Sequence, residues 1–227
     1  MAFEEARQAS MSGKITALKV QTRNPNRVNV YVDDQFAFGL AAIAAGWLQV
    51  GQTLSDEKIA GLQAADEHET AYERALRYLG SGLRTEAEIR RKLQAKGLPP
   101  EHIQPVVERL QRAGLVDDQA YARAWVESRE THRPKGKRAV RAELRRKGIL
   151  PEAAQAAVET IDEEQSAERA ALDRAARLAH LSWPEFRAKL GGFLLRRGFA
   201  YSTAHAAVAQ AWQAVRGQPP AEEEAVE

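Results

Sequence analysis

One six-residue phrase occurs three times in this chain. Residues 93–98 read L-x-x-K-G-L, residues 144–149 read L-x-x-K-G-I, and residues 194–199 read L-x-x-R-G-F. The key leucines, Leu93, Leu144 and Leu194, stand 51 and then 50 residues apart. An aliphatic residue precedes each by four, at Ile89, Val140 and Leu190, which is one face of a helix. The glycine four residues after each leucine falls where a helix C-terminus wants a positive φ, and the cation before it meets the negative end of the helix dipole. The apolar residue after the glycine is placed to fold back on the helix just ended.

A new helix start follows each time: "PPE" at 99–101, "LPE" at 150–152 and "YST" at 201–203. Proline suits the first turn. In these helices apolar residues recur at Val107, Val158 and Val208, then at Leu110, Ile161 and Ala211 with Trp212. Upstream, each copy opens with a helical pattern: "AYERALRYL" from 71, "AYARAWVESR" from 120 and "AERAALDRAARL" from 167. The unit is therefore three helices in about fifty residues, and such units bury their cores by stacking on neighbours. In the third unit, Gly191 and Gly192 lower the helix propensity of the middle helix by roughly 1 kcal/mol each.

The N-terminal part has a different period. Val28, Val30 and Val32 alternate with Asn29 and Tyr31, Asp33-Asp34 reads as a tight turn, and Phe36 and Phe38 follow. These predict two strands of a hairpin. An earlier strand from Ile15 to Val20 pairs with them, and "RNPN" at 23–26 is the turn between, since proline is excluded from central strands. Residues 40–54 read as a short helix and loop beside a buried Trp47, and Ser55 as the N-cap of the next helix.

The expected fold is mainly α: tandem three-helix repeats forming an elongated curved array, preceded by a small antiparallel β-sheet. The expected divisions are a disordered segment 1–12, a β module 13–54, a connecting helix 55–70, repeats at 71–118, 119–165 and 166–217, and a disordered acidic tail 218–227. Met11 is a second candidate start. No run approaches 18 apolar residues, so no membrane span is expected. There is no cysteine, which removes disulfides and thiolate catalysis and fits a cytoplasmic protein.

Catalytic patterns are missing from the sequence. The five histidines are scattered, and "EHE" at 67–69 reads as a solvated face because adjacent helix residues point apart. "GWLQVGQT" at 46–53 has phosphate-loop glycines, but Gln52 stands where a lysine must reach the phosphates. Asp117-Asp118 reads as a helix cap rather than a metal pair. No enzyme activity, cofactor or metal is expected.

Charge carries more. The formal net charge is only +2, yet residues 71–150 hold 19 Lys+Arg against 10 Asp+Glu, and residues 129–147 hold 9 against 2. Segregation of this kind points to a polyanionic partner. The candidate contacts are Arg133, Lys135, Lys137, Arg138, Arg141, Arg145 and Arg146, with Arg84, Arg90 and Arg91 at similar places in the first repeat. Lys137, Arg141 and Arg145, spaced by four, are expected along one flank of a helix. The post-glycine helix of the second unit is acidic, so groove reading by that helix is disfavoured, and any DNA contact goes to the backbone.

The stretches "ALRYLGSGLRTEAEIRRKLQAKGL" and "VVERLQRAGLVDDQAYARAWVESRETHRPKGKRAVRAELRRKGI" resemble the RecX family of bacterial regulatory proteins. The resemblance is specific over residues 71–150 and looser over the third repeat and the hairpin. It implies a cytoplasmic, non-enzymatic modulator of RecA recombinase, usually inhibitory, that lies in the groove of the RecA–DNA filament, blocks its extension and favours disassembly. The acidic tail, the extra N-terminal residues and the glycine pair depart from the family pattern. The residues by themselves leave two other readings open: a sequence-independent binder of single-stranded or other nucleic acid, and a scaffold for an acidic protein. The chain is expected to be a monomer.

Overall fold

The computed structural model describes residues 12–217. The disorder expected for residues 1–11 and for the tail 218–227 lies outside the described residues. The chain divides into two compact units: one holds residues up to Gly82 together with Ile89–Leu115, the other Leu83–Glu88 with everything from Val116 onward.

The first unit begins with strands β1 (Gly13–Gln21), β2 (Asn24–Val32) and β3 (Gln35–Ala41), the short helix α1 (Ala42–Ala45) and the two-residue strand β4 (Thr53–Leu54). They form one antiparallel sheet in the order β3-β2-β1-β4. Asp33 and Asp34 have φ of 46° and 64°, the left-handed pair that a two-residue hairpin turn needs. Val28, Val30, Val32, Phe38 and Leu40 point into the core with Ile15 and Leu54.

Three local expectations are corrected here. Pro25 lies inside β2, a central strand, rather than in the turn. Pairing with β1 shifts register between Val20↔Val28 and Gln21↔Asn24, which leaves Pro25 in the irregularity, and pairing with β3 starts only at Arg27↔Ala41, so neither ladder asks Pro25 for the N–H it lacks. The loop after α1 contributes β4, too short to leave an alternating pattern. Trp47 is 88% exposed, and Leu48 takes the core position beside it instead.

The sheet is tied to α2 (Asp56–Leu79), which Ser55 caps by accepting from the Lys58 N–H at 3.2 Å. This helix runs unbroken through residue 71. Its buried Asp66 accepts from Arg27 at 2.7 Å and from the Ala41 N–H, and Arg27 also donates to Thr70 Oγ1 at 2.9 Å. The "EHE" triplet is not a bare solvated face: Glu69 holds Arg109 at 2.7 Å and Glu67 faces His102 at 3.1 Å.

Eight more α-helices follow among the described residues: α3 (Glu86–Gln94), α4 (Pro100–Arg112), α5 (Asp118–His132), α6 (Lys137–Arg146), α7 (Pro151–Glu159), α8 (Glu163–Ala175), which continues into a 3-10 turn (Ala176–Leu178), α9 (Trp183–Arg196) and α10 (Tyr201–Arg216). Ile89, Leu93, Val140, Leu144, Leu190 and Leu194 are all buried, as the repeated pattern requires. Asp117 caps α5 by accepting from the Gln119 and Ala120 N–H groups. The third middle helix keeps its full length despite the lowered propensity at Gly191 and Gly192. At 14 residues α9 is longer than α3 or α6, because Ser182 and Glu185 form a capping box and Pro184 sits in its first turn.

Gly97, Gly148 and Gly198 have φ of +83°, +89° and +86°. After each, the next N–H returns to the key leucine carbonyl: Leu98 to Leu93 at 3.3 Å, Ile149 to Leu144 at 3.1 Å and Phe199 to Leu194 at 3.3 Å. This is the Schellman closure. Two of these corners are also joints. The Thr85 hydroxyl, beside the start of α3, donates to the Lys147 carbonyl at 2.7 Å. The Gly136 N–H, which caps α6, donates to the Arg197 carbonyl at 3.1 Å. A Cβ placed on Gly148 would lie 2.2 Å from the Ala87 Cβ, and one on Gly136 would lie 2.3 Å from the Gly198 carbonyl oxygen.

Alanine substitutions separate these constraints. Gly97→Ala has open space around it and is expected to cost about 1–2 kcal/mol for its φ alone. Gly136→Ala has an ordinary φ of −68° and should cost about 1–3 kcal/mol through backbone overlap alone. Gly148→Ala combines both and should lose the most, about 3 kcal/mol or more. Urea midpoints of the three variants check the order; Gly97→Ala being as harmful as Gly148→Ala would contradict it.

Candidate cationic interface

The basic run 129–147 occupies the end of α5, the Pro134–Gly136 loop and α6, all within the second unit. Val140 and Leu144 anchor α6 in a core formed with Val126, Ala154 and Val158. The other positions of α6 then fall on two flanks and an outer face.

One flank is controlled by Glu143. Its carboxylate accepts from Arg129 Nε at 2.8 Å, from Trp125 Nε1 at 2.9 Å and from Lys135 Nζ. Burial raises the Glu143 pKa, but the hydrogen bonds from Lys135, Arg129 and Trp125 outweigh it and hold the carboxyl below the usual glutamate value. Lys147 pairs with Glu88 at 2.7 Å. Burial again raises Glu88, and the bonds from Lys147 and the Thr85 backbone bring it below its ordinary value. Asp118 shifts the opposite way: burial pushes its carboxyl up, although the Glu86 N–H donates to it at 2.9 Å.

The other flank faces α7. Lys137 reaches Glu159 at 3.3 Å, and Arg141 donates to Gln155, whose amide donates in turn to Glu159. The first unit repeats this relay: Arg90 donates to Gln104, and Gln104 donates to Glu108 at 2.7 Å. Each member is displaced by 51 residues. Arg90 and Arg141 are thus fastened to the third helix of their own repeats.

The outer face carries Arg138, Arg145 and Arg146, all exposed, with exposed Arg133 in the preceding loop. Arg138 makes one long bond, 3.4 Å, to the Leu195 carbonyl. Among the described residues, no hydrogen bond or ion pair occupies the side chains of Arg133, Arg145 or Arg146. Of the expected flank, Lys137 and Arg141 turn to α7 and Arg145 faces solvent. Arg84 is half-buried and donates to the Leu83 carbonyl at 3.0 Å; Arg91 is exposed. Arg84 belongs to the second unit, Arg90 and Arg91 to the first.

Four family models match in chain order. They are the regulatory protein RecX N-terminal domain over residues 13–55 and the first, second and third RecX three-helix domains over 71–110, 117–158 and 162–208. The regulatory protein RecX of Clostridium perfringens (strain 13 / Type A) is 32% identical over 208 residues, 86% of this chain and 95% of that protein. The chain belongs to the RecX family. The RecX of Limosilactobacillus reuteri (strain DSM 20016) is 35% identical over 138 residues, which is 60% of this chain and 52% of that relative, about half its length. A crystal structure of regulatory protein RecX superposes with a TM-score of 0.70 at 29% identity, over 85% of this chain and 97% of the other. RecX from Lactobacillus salivarius gives 0.60 at 26% identity, over 65% and 97%.

Within the first RecX three-helix domain the structure adds a groove that the sequence reading passed over. Arg74, Arg77, Lys92 and Lys96 line it with Tyr78 and Ser81. The i, i+4 pair Lys92 and Lys96 was the available signal. Among the described residues there is no cluster of three or more metal-ligating side chains, and no helix is long and apolar enough to cross a membrane.

Glu143→Gln should cost about 2–4 kcal/mol, because Lys135 and Arg129 keep their charges in a half-buried site without the counter-charge. Glu143 and Glu88 have depressed folded pKa values, so their contribution is present above the unfolded glutamate pKa near 4.3 and disappears as pH falls through the folded values. Thermal midpoints between pH 7 and pH 3 should fall for the parent chain and fall less steeply for Glu143→Gln. Parallel slopes would mean that this carboxylate does not carry the linkage.

Proposed function

We propose that the chain regulates RecA recombinase in the cytoplasm. It binds the RecA–DNA filament and lowers its activity by limiting extension or promoting disassembly, and so acts in DNA repair and recombination. What carries this reading is RecX family membership together with the outward arginines of α6. Arg138, Arg145 and Arg146 share one solvent-facing side, while the neighbouring cations are already taken by Glu143, Glu88 and the α7 relay. A polyanionic filament surface, of protein carboxylates or of DNA phosphates, is the partner such a face fits. Binding can oppose the filament only if it favours one filament state over another.

The test is RecA ATPase activity and filament length on single-stranded DNA with ATP. Adding the chain should lower both. The triple variant Arg138→Ala, Arg145→Ala, Arg146→Ala should need about tenfold more protein for the same effect, since three exposed cations at about 0.5 kcal/mol each sum to one decade. Its thermal midpoint should stay near that of the parent. Parent protein without effect at several-fold excess over RecA would remove the proposal. DNA binding alone, with a log–log salt slope of about −0.7 per phosphate and no RecA response, would favour the nucleic-acid reading instead.

A further inference from the structure

We propose that the corner at Lys96 and Gly97 is a docking site for the N-terminus of a helix from another protein. That helix opens with Thr or Ser, has a small residue two positions later and an acid three positions later. The argument comes from the repeats. At the Gly148 corner, Thr85 donates to the Lys147 carbonyl, Ala87 lies where glycine lacks a Cβ, and Glu88 receives Lys147 Nζ at 2.7 Å. At the Gly198 corner, the Gly136 N–H donates to the Arg197 carbonyl, Ala139 lies against the glycine, and Arg197 Nη1 reaches back to the Pro134 carbonyl at 3.0 Å. Both corners are therefore filled by the start of the middle helix of the preceding repeat.

The first repeat has no preceding repeat, and its corner is open. Gly97 has the same backbone, with φ +83° and the same Schellman return from Leu98 to Leu93. Yet a Cβ there would meet nothing within 4 Å, and Lys96 and Gly97 are exposed. Among the described residues no donor reaches the Lys96 carbonyl. The adjoining groove adds Arg74, Arg77 and Lys92, with Glu73 as the acid paired to Arg77 at 3.7 Å. That balance suits an acidic first turn. The dipoles agree as well, since the C-terminal end of α3 would meet the N-terminal end of the visitor.

A second copy of the chain is a poorer fit: its own Thr85, Ala87 and Glu88 are already seated against the Lys147 and Gly148 corner. The start of α9 offers Ser182 and Glu185 at the right spacing, but Pro184 stands where Ala87 stands in the filled joint. A ring there falls on the point where even one methyl group is in close contact. The inference goes beyond the filament proposal and does not require it.

The probe is an N-acetylated, hydrocarbon-stapled helical peptide beginning Thr-Glu-Ala-Glu, titrated into the 15N-labelled full chain. The expected result is saturable movement of the Lys96, Gly97 and Leu98 amide signals. Lys96→Glu should weaken binding about tenfold, and a peptide beginning Thr-Glu-Ala-Lys should recover that loss on the Lys96→Glu chain. A peptide beginning Thr-Glu-Trp-Glu should bind at least about tenfold more weakly. Absence of saturable movement at residues 96–98, or equal binding by the tryptophan peptide, overturns the proposal. Concentration-dependent multimers that Gly97→Arg dissolves would assign the corner to a second copy and overturn the choice of partner.

Discussion

The carbonyl of the residue before a left-handed glycine is the point on which the repeat stacking in the second unit depends. A helix end leaves its last carbonyls without intrahelical donors. The Schellman return satisfies the leucine carbonyl but leaves the next acceptors pointing outward. At Lys147 and Arg197 a donor from the start of another middle helix arrives to take them. Thr85 is fully buried in doing so, and a buried hydroxyl needs such a partner. Glycine is required twice over, once for its φ and once because Ala87 or Ala139 occupies the space of its missing side chain. The motif that recurs along the sequence is thus a joint as much as a helix stop.

The same joints sort the charges. The run from Arg129 to Lys147 looks like a uniform basic strip, but it contains two kinds of cation. Lys135 and Arg129 converge on Glu143, and Lys147 crosses to Glu88. Both carboxyls sit below their ordinary pKa despite burial, so they stay ionised at neutral pH and their cations stay engaged. Arg133, Arg138, Arg145 and Arg146 lie on the exposed side. Surface cations gain little from intramolecular pairing, which leaves them available to an external polyanion.

The helical repeats were legible because period and punctuation agreed: apolar spacing, a cation and glycine at each stop, proline or a polar cap at the starts. The hairpin was legible from Val28, Val30, Val32 and the Asp33-Asp34 turn for the same reason. What escaped the sequence depended on contacts distant in the chain. Trp47 and Leu48 are adjacent apolar residues, and only the packing under α1 decides which turns inward. Pro25 could enter a central strand because it falls in the register shift of the β1 ladder and ahead of the first pair with β3. Gly191 and Gly192 lower the local helix propensity of α9, and tertiary burial of Phe186, Leu190 and Leu194, which lie in a core that local propensity does not show, outweighs that deficit. The outward side of α6 was partly legible from charge, but Glu143 lies 8, 14 and 18 residues from Lys135, Arg129 and Trp125, none at a helical spacing that signals the gathering of three donors.

The third repeat shows what the polar relay does. Arg90–Gln104–Glu108 and Arg141–Gln155–Glu159 each tie a middle helix to the helix after it. The corresponding positions in the third repeat are Gly191 and His205, so the relay cannot form there. Its place is taken by aromatic packing. Phe186 and Trp212 meet at 5.1 Å between ring centroids, and Trp183 and Trp212 at 5.3 Å. Aromatic pairs of this kind are worth about 0.5–1.5 kcal/mol beyond their buried area, enough to replace a surface relay. Where the core supplies that fastening, the arginine is gone. This is the pattern expected if Arg90 and Arg141 are kept in the first two repeats to hold helices together, which leaves the relay-free arginines of α6 as the ones whose presence needs a partner to explain it.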